Sequence, residues 1–292
     1  MDREVRKVTI GNTLWQAELT PHGGQLLRAR HRDFPHEVIF LGKRAEFAPG
    51  KAIRGGAPVC WPWFGSSPVP GRPAQGFARM AEWNIELRED SFVRFRLPEP
   101  NVPESLRDFP FELCSEVRLS DALELSLVMK NRGEAPVEIS CALHTYFAVS
   151  GCEKVTVAGL EDAPYTVKGG PGEPPSREVL KIRGEVCRLY FPQSEKIVLT
   201  DPDWGRRILI EKKNSRSTLV WNPGPGRCAQ IPDLEDTEYK NFLCIEANRA
   251  GEDTLLLTPG AEFRLEQHIR LAPSEVIRRR GSSTAPGRPS RK

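Results

Sequence analysis

FELCSEVRLSDALELSLVMKNRGEAPVEISCALHTYF, residues 111–147, is the stretch that decides the fold. Phe111, Leu113, Val117 and Leu119 alternate with Glu112, Glu116 and Arg118. Leu123, Leu125, Leu127 and Met129 then alternate with Glu124, Ser126 and Lys130. After the turn-forming Asn131-Arg132-Gly133-Glu134, Val137, Ile139, Cys141 and Leu143 again recur at period two. Side chains of a strand point alternately to its two faces, so each run reads as a half-buried strand. Three such strands joined by short turns predict an antiparallel meander.

Similar runs occur at 83–87, 92–97, 196–200, 207–211, 218–221, 242–246, 255–257 and 263–271. No stretch holds a 3.6-residue period over three turns. The 24 glycines and 26 prolines among 292 residues fit a chain of frequent turns. The expectation is an all-β protein of large antiparallel sheets packed face to face. The Pro/Gly-rich patches at 65–76 and 169–175 have strand patterns on both sides, so they read as loops within one domain spanning 1–277. The end, 278–292 (RRRGSSTAPGRPSRK), is basic, has no large apolar residue, and reads as a disordered tail.

Charge excludes more than it suggests. The net charge is +3, but the tail carries six basic groups and no acid; without it, 36 basic face 39 acidic groups. A nucleic-acid partner is not expected from that balance. No apolar run approaches the roughly 18 residues needed to span a membrane, and MDREVRKV lacks the apolar core of a signal peptide. Seven cysteines without a CxxC pair argue against a disulfide framework or a zinc site. A reducing, cytoplasmic setting and a monomer are expected, with most thiols acting as small buried hydrophobes.

Several residues ask for a chemical explanation. Alternation puts His144 at the end of the third strand on the face opposite Val137, Ile139, Cys141 and Leu143. There it is either a hydrogen-bonded sheet histidine or an acid/base group. Glu246 ends the apolar run Phe242-Leu243-Cys244-Ile245, on the face of Phe242 and Cys244. A glutamate in that position has a structural partner or a job. In 52–65, AIRGGAPVCWPWFG, Arg54 precedes two glycines that allow a ligand close approach, and Trp61, Trp63 and Phe64 offer plates on which sugars stack. Gln75 and Arg79, in QGFAR, add an amide and a second guanidinium; two arginines at one pocket suggest an anion, phosphate first. Ordinary surface arginines and core tryptophans would give the same pattern.

Taken together and in order, 52–65, Gly76-Phe77-Ala78-Arg79, Ala142-Leu143-His144-Thr145-Tyr146-Phe147, Val220-Trp221-Asn222-Pro223 and 242–246 resemble the D-hexose-6-phosphate mutarotases of the aldose 1-epimerase superfamily. Leu257-Thr258-Pro259-Gly260 resembles that family's closing Leu-Ala-Pro-Gly. The resemblance spans about residues 5–272 and implies a galactose-mutarotase-like β-supersandwich. It implies that His144 and Glu246 are the catalytic pair and that Arg54 and Arg79 hold the substrate's anionic end. Two positions depart. Gln75 stands where the family usually has histidine, and Cys187 stands where it has a substrate-binding aspartate. Asp201 or Asp203 could compensate from the next strand.

The implied reaction removes a proton from the anomeric hydroxyl, delivers one to the ring oxygen, and recloses the ring on the other face. It asks for no metal or redox cofactor. Glu246 would be the base, and His144, held protonated by the nearby carboxylate, the acid. Trp63 and Trp221 would wall the pyranose, and a small hexose phosphate would be the partner. The alternatives are a non-catalytic sugar or sugar-phosphate binding protein on this fold, or a mutarotase for a different aldose.

Overall fold

The computed structural model describes residues 6–167, 170–172, 174–192 and 194–274; the basic stretch 278–292 lies outside the described residues. Phe111–Leu119 and Leu123–Asn131 pair antiparallel, with Leu113 opposite Met129 and Val117 opposite Leu125. They belong to a nine-stranded sheet whose order is Leu180–Lys181, Thr156–Ala158, Lys196–Asp201, Arg206–Lys213, Glu262–Pro273, Leu123–Asn131, Phe111–Leu119, Phe92–Arg96, Asn84–Glu89. Every adjacent pair in it is antiparallel.

The third run departs from the expected meander. It breaks at Ser140 into Val137–Ile139, which pairs with Leu255–Leu257, and Cys141–Leu143, which joins a second sheet. Glu262–Pro273 takes the place beside Leu123–Asn131. Ser140 accounts for the break: its backbone N–H donates to Pro62 and its hydroxyl accepts from the Phe64 N–H, so both serve the 62–64 loop. That crossing carries His144 into the other layer.

The second sheet has eight strands, ordered Gly170–Pro171, Tyr165–Val167, Val186–Tyr190, Ser217–Asn222, Phe242–Arg249, Cys141–Leu143, Val59–Cys60, with Tyr146–Ala148 also paired to Phe242–Arg249. Leu125, Leu127, Leu265 and Ile269 from one sheet share a buried cluster with Val220, Leu243, Ile245 and Ala247 from the other. This is the face-to-face arrangement the alternation predicts, and each of the Leu, Ile and Val side chains contributes about 1.5–3 kcal/mol by leaving water. A three-stranded sheet of Val8–Gly11, Trp15–Thr20 and Gln25–His31 was not legible in the pattern. Its register shifts between Glu18 and Leu19, and Pro21 with Gly23-Gly24 interrupts it.

The glycine pair after Arg54 serves packing instead of opening the chain to a ligand. Gly56 has φ 73°, and a Cβ there would lie 2.3 Å from the Leu26 carbonyl oxygen. At Gly55 the same atom would meet Phe40 O at 2.6 Å. Gly65 has φ 80° with nothing within 4 Å. Gly56→Ala is therefore expected to cost more stability than Gly65→Ala, which pays only the backbone strain of roughly 1–3 kcal/mol. Paired thermal melts read the difference; equal losses would contradict the packing account.

Candidate active site

Two strand pairings bracket His144 and bring it to Glu246. Cys141–Leu143 and Tyr146–Ala148 both pair with Phe242–Arg249, Leu143 opposite Ala247 and Tyr146 opposite Cys244. His144 and Thr145 cross between those registers, and His144 Nδ1 lies 3.1 Å from Glu246 Oε1. The pair is buried, with His144 7% and Glu246 0% exposed. On Phe242–Arg249, alternation gives Leu243, Ile245 and Ala247 to the inter-sheet core, and Phe242 and Cys244 to a smaller aromatic cluster on the other side.

A side chain from the opposite sheet fastens this meeting. Gln267, 0% exposed, donates from Nε2 to the Ile245 carbonyl at 2.9 Å and accepts from the Thr145 hydroxyl. Its two partners are the chain neighbours of Glu246 and His144. A buried amide whose hydrogen bonds are met fixes geometry that apolar packing alone would leave loose.

The electrostatics reverse the sequence expectation about the proton. Burial, then the charges of Arg79 and Arg54, push His144 down to about 3. Burial pushes Glu246 well above the usual carboxylate range, opposed by a hydrogen bond from Asn248 and by Arg79. Nδ1 and Oε1 are within ion-pair distance but outside hydrogen-bond alignment, and neither has another partner among the described residues. Desolvation thus opposes both ions of the pair, and the arginines further oppose the imidazolium, against the pull of the nearby carboxylate.

Tyr146 stacks on His144 with ring centres 4.9 Å apart, and Trp221 meets His144 edge-on at 6.0 Å. Trp221 is thus where a wall was expected. Trp63 is not: it is 6% exposed, its indole N–H donates to Pro73 O, and it packs on Phe77 in the main core. Phe64, half-buried, packs instead against the cluster of Trp221 and Tyr146.

Arg54 donates from Nε to Asp233 at 3.1 Å and from Nη1 to the Tyr146 hydroxyl at 3.2 Å. Since Tyr146 stacks on His144, Arg54 is tied to the pair through one ring. Arg79 donates from Nη2 to Ala74 O at 3.1 Å, and its Nε is buried without a partner among the described residues. Gln75 lies in the left-handed region at φ 65°, and its Oε1 accepts from the Gly65 N–H, closing the 65–75 loop. Cys187 sits opposite Trp221 on the neighbouring strand and packs against the same aromatic cluster. Neither expected substitute aspartate serves the site. Asp201 is fully buried on Ser150, and Asp203 pairs with Lys154. Tyr146, Asp233 and Asn248 escaped the sequence reading, although Asn248 shares the Glu246 face at period two.

One compact set of possible metal ligands exists among the described residues: His144, Cys244 and Glu246, with ligand atoms within 4.8 Å of one another. The positive charges of Arg54 and Arg79 oppose a cation there.

Residues 6–270 match the aldose 1-epimerase family. A protein from Escherichia coli K12 named "putative glucose-6-phosphate 1-epimerase" is 32% identical over 241 residues, 81% of this chain and 80% of its own. One of the same name from Cenchrus ciliaris is 32% identical over 276 residues, 88% and 82% of the two chains. The crystal structure of a "putative mutarotase" from Salmonella typhimurium superposes with a TM-score of 0.81 at 26% identity, covering 92% of this chain and 91% of the other. No helix among the described residues is long and apolar enough to cross a membrane.

The clamp has a measurable consequence. Gln267→Leu leaves the Ile245 carbonyl and the Thr145 hydroxyl buried without their partner, a loss of about 1–3 kcal/mol for each such group. Chemical denaturation is expected to show a clear drop in stability; unchanged stability would mean the amide braces nothing.

Proposed function

The chain belongs to the aldose 1-epimerase family, and we propose that it interconverts the α and β anomers of a hexose 6-phosphate by acid/base opening and reclosure of the ring. The observation that carries the reading is the buried His144–Glu246 contact at 3.1 Å, acted on by two arginine charges. The names of the E. coli and Cenchrus relatives support glucose 6-phosphate as the substrate class. The buried thiols Cys60, Cys141, Cys152, Cys228 and Cys244 suit a reducing compartment such as the cytoplasm.

Ring opening breaks the C1–O5 bond. Glu246 as carboxylate takes the O1 proton while His144 as imidazolium gives one to O5, leaving a C1 aldehyde, a protonated carboxyl and a neutral imidazole. Rotation about C1–C2 presents the other carbonyl face. His144 then recovers the O5 proton as O5 attacks C1, and Glu246 returns its proton to O1. The pair carries one proton at every stage. Burial disfavours both charged forms, so forming the starting ion pair requires help.

The 6-phosphate is suited to give it. A dianion between Arg54 and Arg79 cancels the charges that, after burial, most disfavour the imidazolium. The buried Arg79 Nε is a donor for which no partner competes among the described residues. Phosphate thereby supplies charge-assisted binding and help in placing the proton, neither of which a free hexose offers. Phe64 and Trp221 would flank the ring, with Gln75 Nε2 as a neutral ligand in place of the family histidine.

Anomer exchange measured by NMR on glucose 6-phosphate tests the reading. Glu246→Gln and His144→Ala are each expected to lose on the order of 10²–10⁴ in rate with the fold retained. Parent-like exchange in both variants would contradict the enzymatic role. Arg79→Ala is expected to weaken the 6-phosphate at least about tenfold, the worth of a lost charged hydrogen bond, and free glucose far less. Equal losses on both sugars would assign Arg79 to the scaffold.

A further inference from the structure

We propose that Asn248 is the positioning residue for Glu246: its amide holds the carboxylate in place and stabilises the ionised form that removes the anomeric proton. The inference rests on the assignment of Glu246 as base. Asn248 is 0% exposed and lies two residues beyond Glu246 on the same strand face. Its Nδ2 donates to Glu246 Oε2 at 3.3 Å, the carboxylate's one hydrogen bond among the described residues, while Oε1 faces His144.

The orientation of the amide is fixed from behind. Asn248 Oδ1 accepts from the Leu219 N–H at 2.8 Å, and Leu219 is the residue opposite Glu246 in the sheet register. With the oxygen so engaged, the NH₂ group is the end that meets the carboxylate. The Asn248 backbone is braced as well. Its N–H donates to Ser215 Oγ at 3.0 Å and its carbonyl lies 2.9 Å from the same hydroxyl. Behind Ser215 is Lys212, 0% exposed, whose ammonium reaches Ser215 O, Ser215 Oγ and Ser217 O at 3.0–3.4 Å.

Neither Lys212 nor Ser215 has a part in the proton transfers. A buried ammonium satisfied by carbonyls is costly to maintain unless it holds something in place. Here it anchors the loop on which the Asn248 backbone hangs. The chain Lys212–Ser215–Asn248–Glu246 runs from a fixed point in the nine-stranded sheet to the carboxylate. A donor aimed at a buried carboxylate favours its charged form, the form that burial otherwise suppresses.

Two variants of the full-length protein separate positioning from simple support. Asn248→Ala removes the donor and the shape. Asn248→Asp keeps the shape and the acceptor for Leu219 N–H but, when ionised, removes the donor and sets a like charge beside Glu246. For both, kcat for glucose 6-phosphate anomer exchange is expected to fall roughly tenfold or more. The limb of the pH–rate profile governed by Glu246 is expected to move to higher pH, because an unsupported carboxylate holds its proton more tightly. The inference is overturned if Asn248→Asp restores parent kcat with an unshifted limb, or if either folded variant keeps the parent profile. Glu246→Gln, measured alongside, distinguishes the failures. An inactive Glu246→Gln with normal Asn248 variants removes only the positioning role, and an active Glu246→Gln removes the base assignment itself.

Discussion

The site depends on keeping one histidine and one glutamate in contact where water does not reach. His144 Nδ1 and Glu246 Oε1 face each other at 3.1 Å, nearly or fully buried. Desolvation makes the ion pair expensive, pushing the histidine down and the carboxyl up. Much of the surrounding structure can be understood as holding that contact. The two registers of Phe242–Arg249 set it, Gln267 fastens both neighbours from the opposite sheet, and Tyr146 stacks against the imidazole.

In the proposed mechanism the two arginines make the pair selective for an anionic substrate. Their charges oppose an imidazolium at His144, and a substrate anion held between them would lift that opposition. Arg54 is pre-aligned by Asp233 and Tyr146, which limits the freedom it loses on meeting a ligand. Asp233 also occupies the side of Arg54 away from its terminal nitrogens. An acidic residue beside Arg54 therefore persists although Cys187 stands where the resembling family has aspartate.

The sheets were legible because period-two alternation is strong at Phe111–Leu119, Leu123–Asn131 and Glu262–Pro273, where one face is buried. The break at Ser140 was not legible: alternation continues through it, and only the polar demands of the 62–64 loop divert the chain. His144 and Glu246 could be found as polar residues closing apolar runs of sequence, although the strand of Glu246 continues to Arg249. Asp233 could not, because it sits in a turn-rich segment whose sequence carries no period, 179 residues from Arg54. Trp63 shows the limit of composition. A tryptophan in a Pro/Gly-rich segment looks the same whether it faces a sugar or braces a loop through Pro73. The state of the proton was hidden for a related reason, since it depends on burial and on charges brought from 65 and 90 positions away in the chain.

The central claim is that the phosphate of the substrate moves the pair from its neutral to its ionic form. Nitrogen-15 NMR of the His144 ring near pH 7 tests it directly, using 1,5-anhydroglucitol 6-phosphate, which lacks the anomeric hydroxyl and cannot react. The account predicts a neutral imidazole in the free protein, an imidazolium in the 6-phosphate complex, and no such change with unphosphorylated 1,5-anhydroglucitol. An imidazolium already present in the free protein, or an imidazole that stays neutral when the 6-phosphate is bound, would contradict it.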